Sequence, residues 1–198
     1  NIRKIITYLL SGSFTETILI GVSLALGAPF LPVTALQILW INLIEDSLPA
    51  IALTMEKADK DVMKRKPPKH DSSLLTADMK VIIFGIGIAT DLVLLGLFFW
   101  LLHASSYSTE HIQTIIFVGL GINSLFYVFS CRNLRKNIWE YNPFANLYLV
   151  ASVLVGFLLL FAVIYTPLLQ SLFRTEPLNP FDWSLLFGLS ILNVFLIE

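Results

Sequence analysis

The sequence predicts an all-α fold: a polytopic membrane protein in which six helices form one transmembrane bundle, with a proline-interrupted second helix. Three observations carry this. The 198 residues are 56% hydrophobic and 14% charged, with a mean hydropathy of +0.78, too apolar for a soluble domain of this length. Six apolar runs are long enough to cross a hydrocarbon core about 30 Å thick. Twelve of the 13 Lys and Arg residues sit on alternate connections between those runs, as in a chain that crosses repeatedly. A formal net charge of −1 supplies no basic excess, so nucleic acid is not an expected partner. The single cysteine, Cys131, excludes an internal disulfide, and no Cys/His cluster points to zinc or an iron–sulfur centre.

In order, the runs are residues 5–26, 33–54, 81–102, 114–130, 147–165 and 183–198. The first two are joined by the tight turn at Gly27, Ala28 and Pro29. The second and third are joined by a loop over 55–80 that holds seven lysines and arginines. Arg3 and Lys4 precede the first run, and Arg132, Arg135 and Lys136 follow the fourth; Arg174 alone falls on the opposite side. By the positive-inside rule both ends and these basic loops are cytoplasmic. The chain begins at Asn1 and stops at Glu198 inside an apolar run, which reads as a piece of a longer protein. A basic stretch, Lys64 to Lys66 with Lys69, faces anionic lipid or simply fixes topology. Trp100, Trp139 and Trp183 read as interfacial anchors, and His103 and His111 as solvated loop residues.

The second run carries the chemistry. Asn42, Glu45 and Asp46 lie in its middle, where a carboxylate costs roughly 2.5–3.5 kcal/mol on insertion scales. On a helix they are three and four residues apart and share a face. Pro49 has no N–H to give to the carbonyl of Glu45, so the helix is expected to open there and expose that oxygen. Glu16, Glu45 and Asp91 lie roughly 16, 18 and 15 Å along their runs at about 1.5 Å per residue, all near the midplane. Ser13, three residues before Glu16, adds a hydroxyl. The predicted set of Ser13, Glu16, Asn42, Glu45 and Asp46 is all oxygen, the preference of hard cations such as calcium. Asp91 is open between ligand, proton carrier and hydrogen-bond partner of a neighbouring helix. The last three runs read as a support for the first three.

The run Trp40-Ile41-Asn42-Leu43-Ile44-Glu45-Asp46-Ser47-Leu48-Pro49-Ala50, followed by Asp59, Asp61, Met63, Arg65, Pro67 and Pro68 at alternating spacing, resembles the sixth transmembrane helix and following loop of calcium-type P-type ATPases. Tyr8 to Glu16 is similar to that family's fifth helix, and Asn142-Pro143-Phe144 to its loop before the ninth. The resemblance covers the whole chain as the six C-terminal helices. It implies that Glu16, Asn42 and Asp46 hold the transported ion, calcium. It also implies that the 55–70 loop, with Asp59, Asp61 and Arg65, touches a cytoplasmic phosphorylation domain. Partners are then that domain and the N-terminal membrane helices of the same protein, with ATP and magnesium bound outside this chain. This chain has Ser13 where the family usually has Asn and Glu45 where it has Thr. Its eighth-helix stretch, residues 122–127, has no acid, which implies one ion per cycle. The expected setting is a prokaryotic plasma membrane. The other readings are a pump for manganese, sodium, potassium or protons, or a standalone channel or carrier lined by the midplane acids.

Overall fold

A computed structural model describes residues 2–56, 79, 81–132 and 142–197. Among them there is no strand, and five helical stretches are long and apolar enough to cross a membrane. Helix α1 (Ile2–Ala25) ends at Gly27, whose φ of 77° only glycine adopts freely. The amides of Gly27 and Ala28 return to the carbonyls of Leu24 and Ser23, each at 3.0 Å, which satisfies carbonyls the helix end would leave bare.

The second span is built from three pieces: α2 (Ala35–Trp40), a π turn (Ile41–Glu45) and α3 (Ser47–Thr54). Thr34 and Gln37 form a reciprocal capping box at its start. The interruption expected from Pro49 takes a different form from an unwound helix. The Asp46 amide reaches back five residues to the Ile41 carbonyl, at 2.8 Å, and a new helix starts at Ser47. Pro49 then falls in its first turn, where a missing N–H costs nothing.

A second π segment (Val81–Ile86) leads into α4 (Gly87–Ala104). Helix α5 (Thr109–Cys131) begins five residues before the apolar run, because the Ser108 hydroxyl caps it by accepting from the His111 amide. Helix α6 (Leu147–Tyr165) is capped by Asn146. A short α7 (Pro167–Phe173) closes on Arg174 at φ 52°. The expected sixth span falls on α8 (Pro180–Ile197), of 18 residues, which is not one of those five stretches.

Helix α5 is the most buried span and lies at the centre, packed on α8, α4, α6 and α1. Lipid tails are as apolar as leucine, so close packing and polar contacts hold such a bundle together. Gly119 admits Leu94 and Leu186, and Gly156 admits Leu125; a Cβ at Gly156 would stand 2.6 Å from a Leu125 methyl. Polar stitches finish both ends. At the end holding Arg132, its Nε donates to Glu56 Oε2 at 2.8 Å and its Nη1 to the Asn142 carbonyl at 2.7 Å, while Asn146 Nδ2 donates to the same Glu56 oxygen.

At the other end His111 is 9% exposed, contrary to the solvated reading. Its ring nitrogens lie 3.2 Å from Glu176 Oε2 and 3.0 Å from Asp182 Oδ2, because the 174–182 segment folds back over the start of α5. Trp183 gives its indole N–H to the Tyr165 hydroxyl at 2.8 Å, and Trp100 is half exposed. Trp139, Lys64 to Lys66 and Lys69 lie outside the described residues, as do Asp59, Asp61 and Arg65 of the expected coupling loop.

Candidate functional site

Helix α1 and the π turn bring two of the predicted residues into direct contact. The Asn42 amide nitrogen lies 2.8 and 2.7 Å from the two oxygens of Glu16, and 3.0 Å from the carbonyl of Ile38 one turn back. Glu16 is 8% exposed, and among the described residues its carboxyl is met by the Asn42 amide and by no lysine or arginine. The Asn42 carbonyl accepts from the Ser47 hydroxyl at 3.0 Å, a five-residue reach that follows the π turn.

Glu45 and Asp46 do not join Glu16 and Asn42 as one face of an α-helix would require. The wider i→i−5 turn changes the angle between successive side chains and sends the two acids apart. Asp46 turns to α5, where its Oδ1 accepts from Ser124 Oγ at 2.5 Å and lies 3.3 Å from the Tyr8 hydroxyl. Its Oδ2 lies against α1, only 3.0 Å from where a Cβ on Gly12 would stand. Glu45 is fully buried and inserts against Gly121, where a Cβ would stand 2.6 Å from Oε2. Among the described residues neither Glu45 oxygen has a hydrogen-bond partner; the Trp40 indole N–H faces it without reaching bonding geometry. The two glycines act as slots, one for each acid.

Ser13 is not brought in. It lies about 60° round the helix from Glu16 and is exposed, while its carbonyl accepts from the Thr17 hydroxyl at 2.7 Å. Asp91 is 1% exposed and likewise lacks a hydrogen-bond partner among the described residues; it approaches Thr15 on α1 rather than the Glu16–Asn42 pair. Pro49 is buried in α3.

A cavity of about 50 Å³ adjoins the site, bounded in part by Glu16, Asp46, Asn123, Ser124, Ser190 and Asn193. At about 15 Å³ each it has room for roughly three waters. Among the described residues, no Lys, Arg or His lines it. Hydroxyl, amide and carboxylate oxygens without thiol or imidazole suit a hard cation. Among the described residues, however, no three His, Cys, Asp or Glu side chains converge closely enough to form a finished metal site. Calcium takes about 6–8 oxygens, and the residues here supply part of such a shell.

Two contributors escaped the sequence reading: Ser124, taken as support, and Tyr8. Both touch Asp46 from helices distant in sequence, so no local pattern could show them. Gly12 and Gly121 escaped it as well, since a glycine inside an apolar run looks like a packing residue.

A polytopic helical bundle that holds two buried acids, Glu16 and Asp46, on one cavity, with no cationic side chain among the described residues that line it, belongs to the class of membrane proteins that handle cations. Residues 30–198 match the family described as Cation transporting ATPase, C-terminus, and the chain belongs to that family. It is 41% identical over 201 residues to a calcium-transporting ATPase of Bacillus subtilis (strain 168), with 100% of this chain and 22% of the relative covered. It is 34% identical over 210 residues to calcium-transporting ATPase 1 of Bacillus cereus, covering 97% of this chain and 23% of that protein. It is 34% identical over 193 residues to the mouse calcium-transporting ATPase type 2C member 2, covering 96% and 20%. The chain thus spans about a fifth of the length of the curated relatives it matches.

Proposed function

We propose that this chain is the membrane sector of an ATP-driven calcium pump and that Glu16, Asn42, Glu45 and Asp46 hold one calcium ion per cycle. The observation that carries the reading is the Asn42 amide set against both oxygens of Glu16, with Asp46 on the cavity that Glu16 also lines. A divalent cation between α1 and the π turn takes over the neutralising role of the amide protons. Asn42 then turns its carbonyl oxygen to the ion. Asp46 supplies a second formal charge, and Glu45 adds a third carboxylate from the α5 side.

One ion per cycle is supported by the residues of α5 nearest the site, which are Gly121, Asn123 and Ser124 rather than acids. The names of the relatives support calcium as cargo. ATP, magnesium and the phosphorylated residue belong to parts of the protein outside this chain, and residues 57–78, with Asp59, Asp61 and Arg65, are the expected coupling segment. In this reading both chain ends face the cytoplasm of a prokaryotic cell, with the N-terminal helices of the same protein as neighbours.

The test is ion-activated phosphorylation from ATP in the full-length protein. Asp46→Asn abolishes it, while Glu45→Gln weakens apparent affinity without abolishing it, because Glu45 lacks the direct partners that fix Asp46. Normal calcium dependence in Asp46→Asn overturns the site, and a measured ratio of two ions per ATP overturns the single-ion reading.

A further inference from the structure

We infer that Ser124 is a specificity-determining residue: by occupying one oxygen of Asp46 it leaves that carboxylate a single oxygen for the transported cation. The inference deepens the proposed function and rests on Asp46 being a ligand.

Three hydroxyl and carboxylate contacts share two protons here. Ser124 Oγ lies 2.5 Å from Asp46 Oδ1, the Tyr8 hydroxyl lies 2.7 Å from Ser124 Oγ, and the same hydroxyl lies 3.3 Å from Asp46 Oδ1. The shorter distances define a chain in which Tyr8 donates to Ser124 and Ser124 donates to Asp46. A hydroxyl that donates to an ionised carboxylate makes a charge-assisted bond, among the stronger side-chain bonds. The donors come from two helices, Tyr8 on α1 and Ser124 on the central helix α5, and Tyr8 is 2% exposed, so packing holds the phenol in place. On the other side Gly12 leaves room for Oδ2 and little more, with a Cβ position only 3.0 Å away. Asp46 is therefore held by one oxygen, and the other, which accepts no hydrogen bond from the described residues, is the one free to meet an ion.

The number of oxygens a carboxylate offers is a means of selecting among hard cations. Calcium tolerates six to eight ligands and accepts a carboxylate through both oxygens, whereas smaller octahedral ions want fewer ligands at shorter, near-ideal distances. A carboxylate limited to one oxygen restrains the site's preference for calcium over manganese. Releasing Oδ1 lets Asp46 rotate to two-oxygen contact and widens that preference. Tyr8 acts through Ser124 and is a positioning residue.

The test uses the full-length protein with Ser124→Ala, Ser124→Thr and Tyr8→Phe. Equilibrium binding of radiolabelled calcium and manganese is measured beside ion-activated phosphorylation by each metal. The expected result is that Ser124→Ala raises the manganese-to-calcium ratio of half-saturating concentrations about fivefold or more. A change of that size, about 1 kcal/mol between the two ions, is within the worth of one hydrogen bond to a charged group. Ser124→Thr, which keeps the hydroxyl, returns the ratio to that of the parent, and Tyr8→Phe gives a smaller shift in the same direction. A purely structural role for Ser124 lowers both affinities together and leaves the ratio within about twofold; that outcome overturns the inference. If Asp46→Asn also keeps normal ion dependence, the site reading itself falls. A parallel loss in Ser124→Ala with Asp46→Asn inactive removes the specificity role alone.

Discussion

Gly121→Ala puts a methyl group into the slot that holds Glu45. The new Cβ stands 2.6 Å from Oε2 and 3.2 Å from Cδ, so the carboxylate must retreat by roughly 0.8 Å to reach ordinary contact in a close-packed interior. It cannot do so freely, because Glu45 is fully buried between the π turn and α5. Overpacking of this kind costs about 1–3 kcal/mol. The backbone of the central helix is held on several sides, whereas Glu45 has no hydrogen bond to lose, so the side chain moves and the cost falls on ion binding. At about 1.4 kcal/mol per tenfold, the half-activating calcium concentration rises about 5- to 150-fold. Gly12→Ala is the internal comparison. Its Cβ meets Asp46 Oδ2 at 3.0 Å, a milder conflict, and a rise of about threefold is expected. The assay is calcium-activated phosphorylation in full-length protein of normal thermal stability. A double-mutant cycle with Glu45→Ala completes it, since the two changes should not add if they act through one group. If Gly121→Ala stays within about twofold of the parent, Glu45 does not contact the ion.

Three further outcomes follow from other contacts. His111→Ala removes the imidazole beside the buried Asp182 carboxylate and lowers stability by about 1.5–3 kcal/mol, read as a drop in melting temperature with calcium affinity unchanged. Arg132→Ala cuts the contacts to Glu56 and the Asn142 carbonyl. The expected loss is about 3 kcal/mol, the low end for removing one partner of a buried pair, because Asn146 still donates to Glu56; Arg132→Lys should recover only part of it, as measured by thermal unfolding in detergent. A cysteine placed at Ser72 is labelled by an impermeant reagent only from the cytoplasmic face and one at Ser106 only from the opposite face; labelling of both from one side contradicts the proposed topology.

The spans were legible because a bilayer imposes length and composition on anything that crosses it, and α6 spans the residues its apolar run defines, 147–165. Glu16 and Asn42 were legible as members of one polar set because buried oxygen-bearing groups near the midplane must find partners. The fate of Glu45 and Asp46 was not. A π turn has no residue signature of its own; it is chosen by what the neighbouring helices leave room for, and here that room is made by Gly12 and Gly121. The Ser124–Asp46 bond joins residues 78 apart, and the burial of His111 depends on a segment 65 to 71 residues further on. The outward position of Ser13 has a smaller reason. Three residues along a helix share a face only loosely, and about 60° was enough to turn it outward.

Burying Glu45 and Asp46 also has a cost during biosynthesis. The span from Ala35 to Thr54 is the least apolar of the five membrane-crossing stretches, and each acid at its centre opposes insertion by roughly 2.5–3.5 kcal/mol. The groups that receive these acids on α5, Ser124 and Gly121, are synthesised more than 70 residues later, while Gly12 and Tyr8 on α1 are made first. The early hairpin of α1 and the second span therefore reaches the bilayer with its acids only half accommodated. Within this chain, the contacts of Glu45 and Asp46 are complete only once the central helix α5 has followed them into the bilayer.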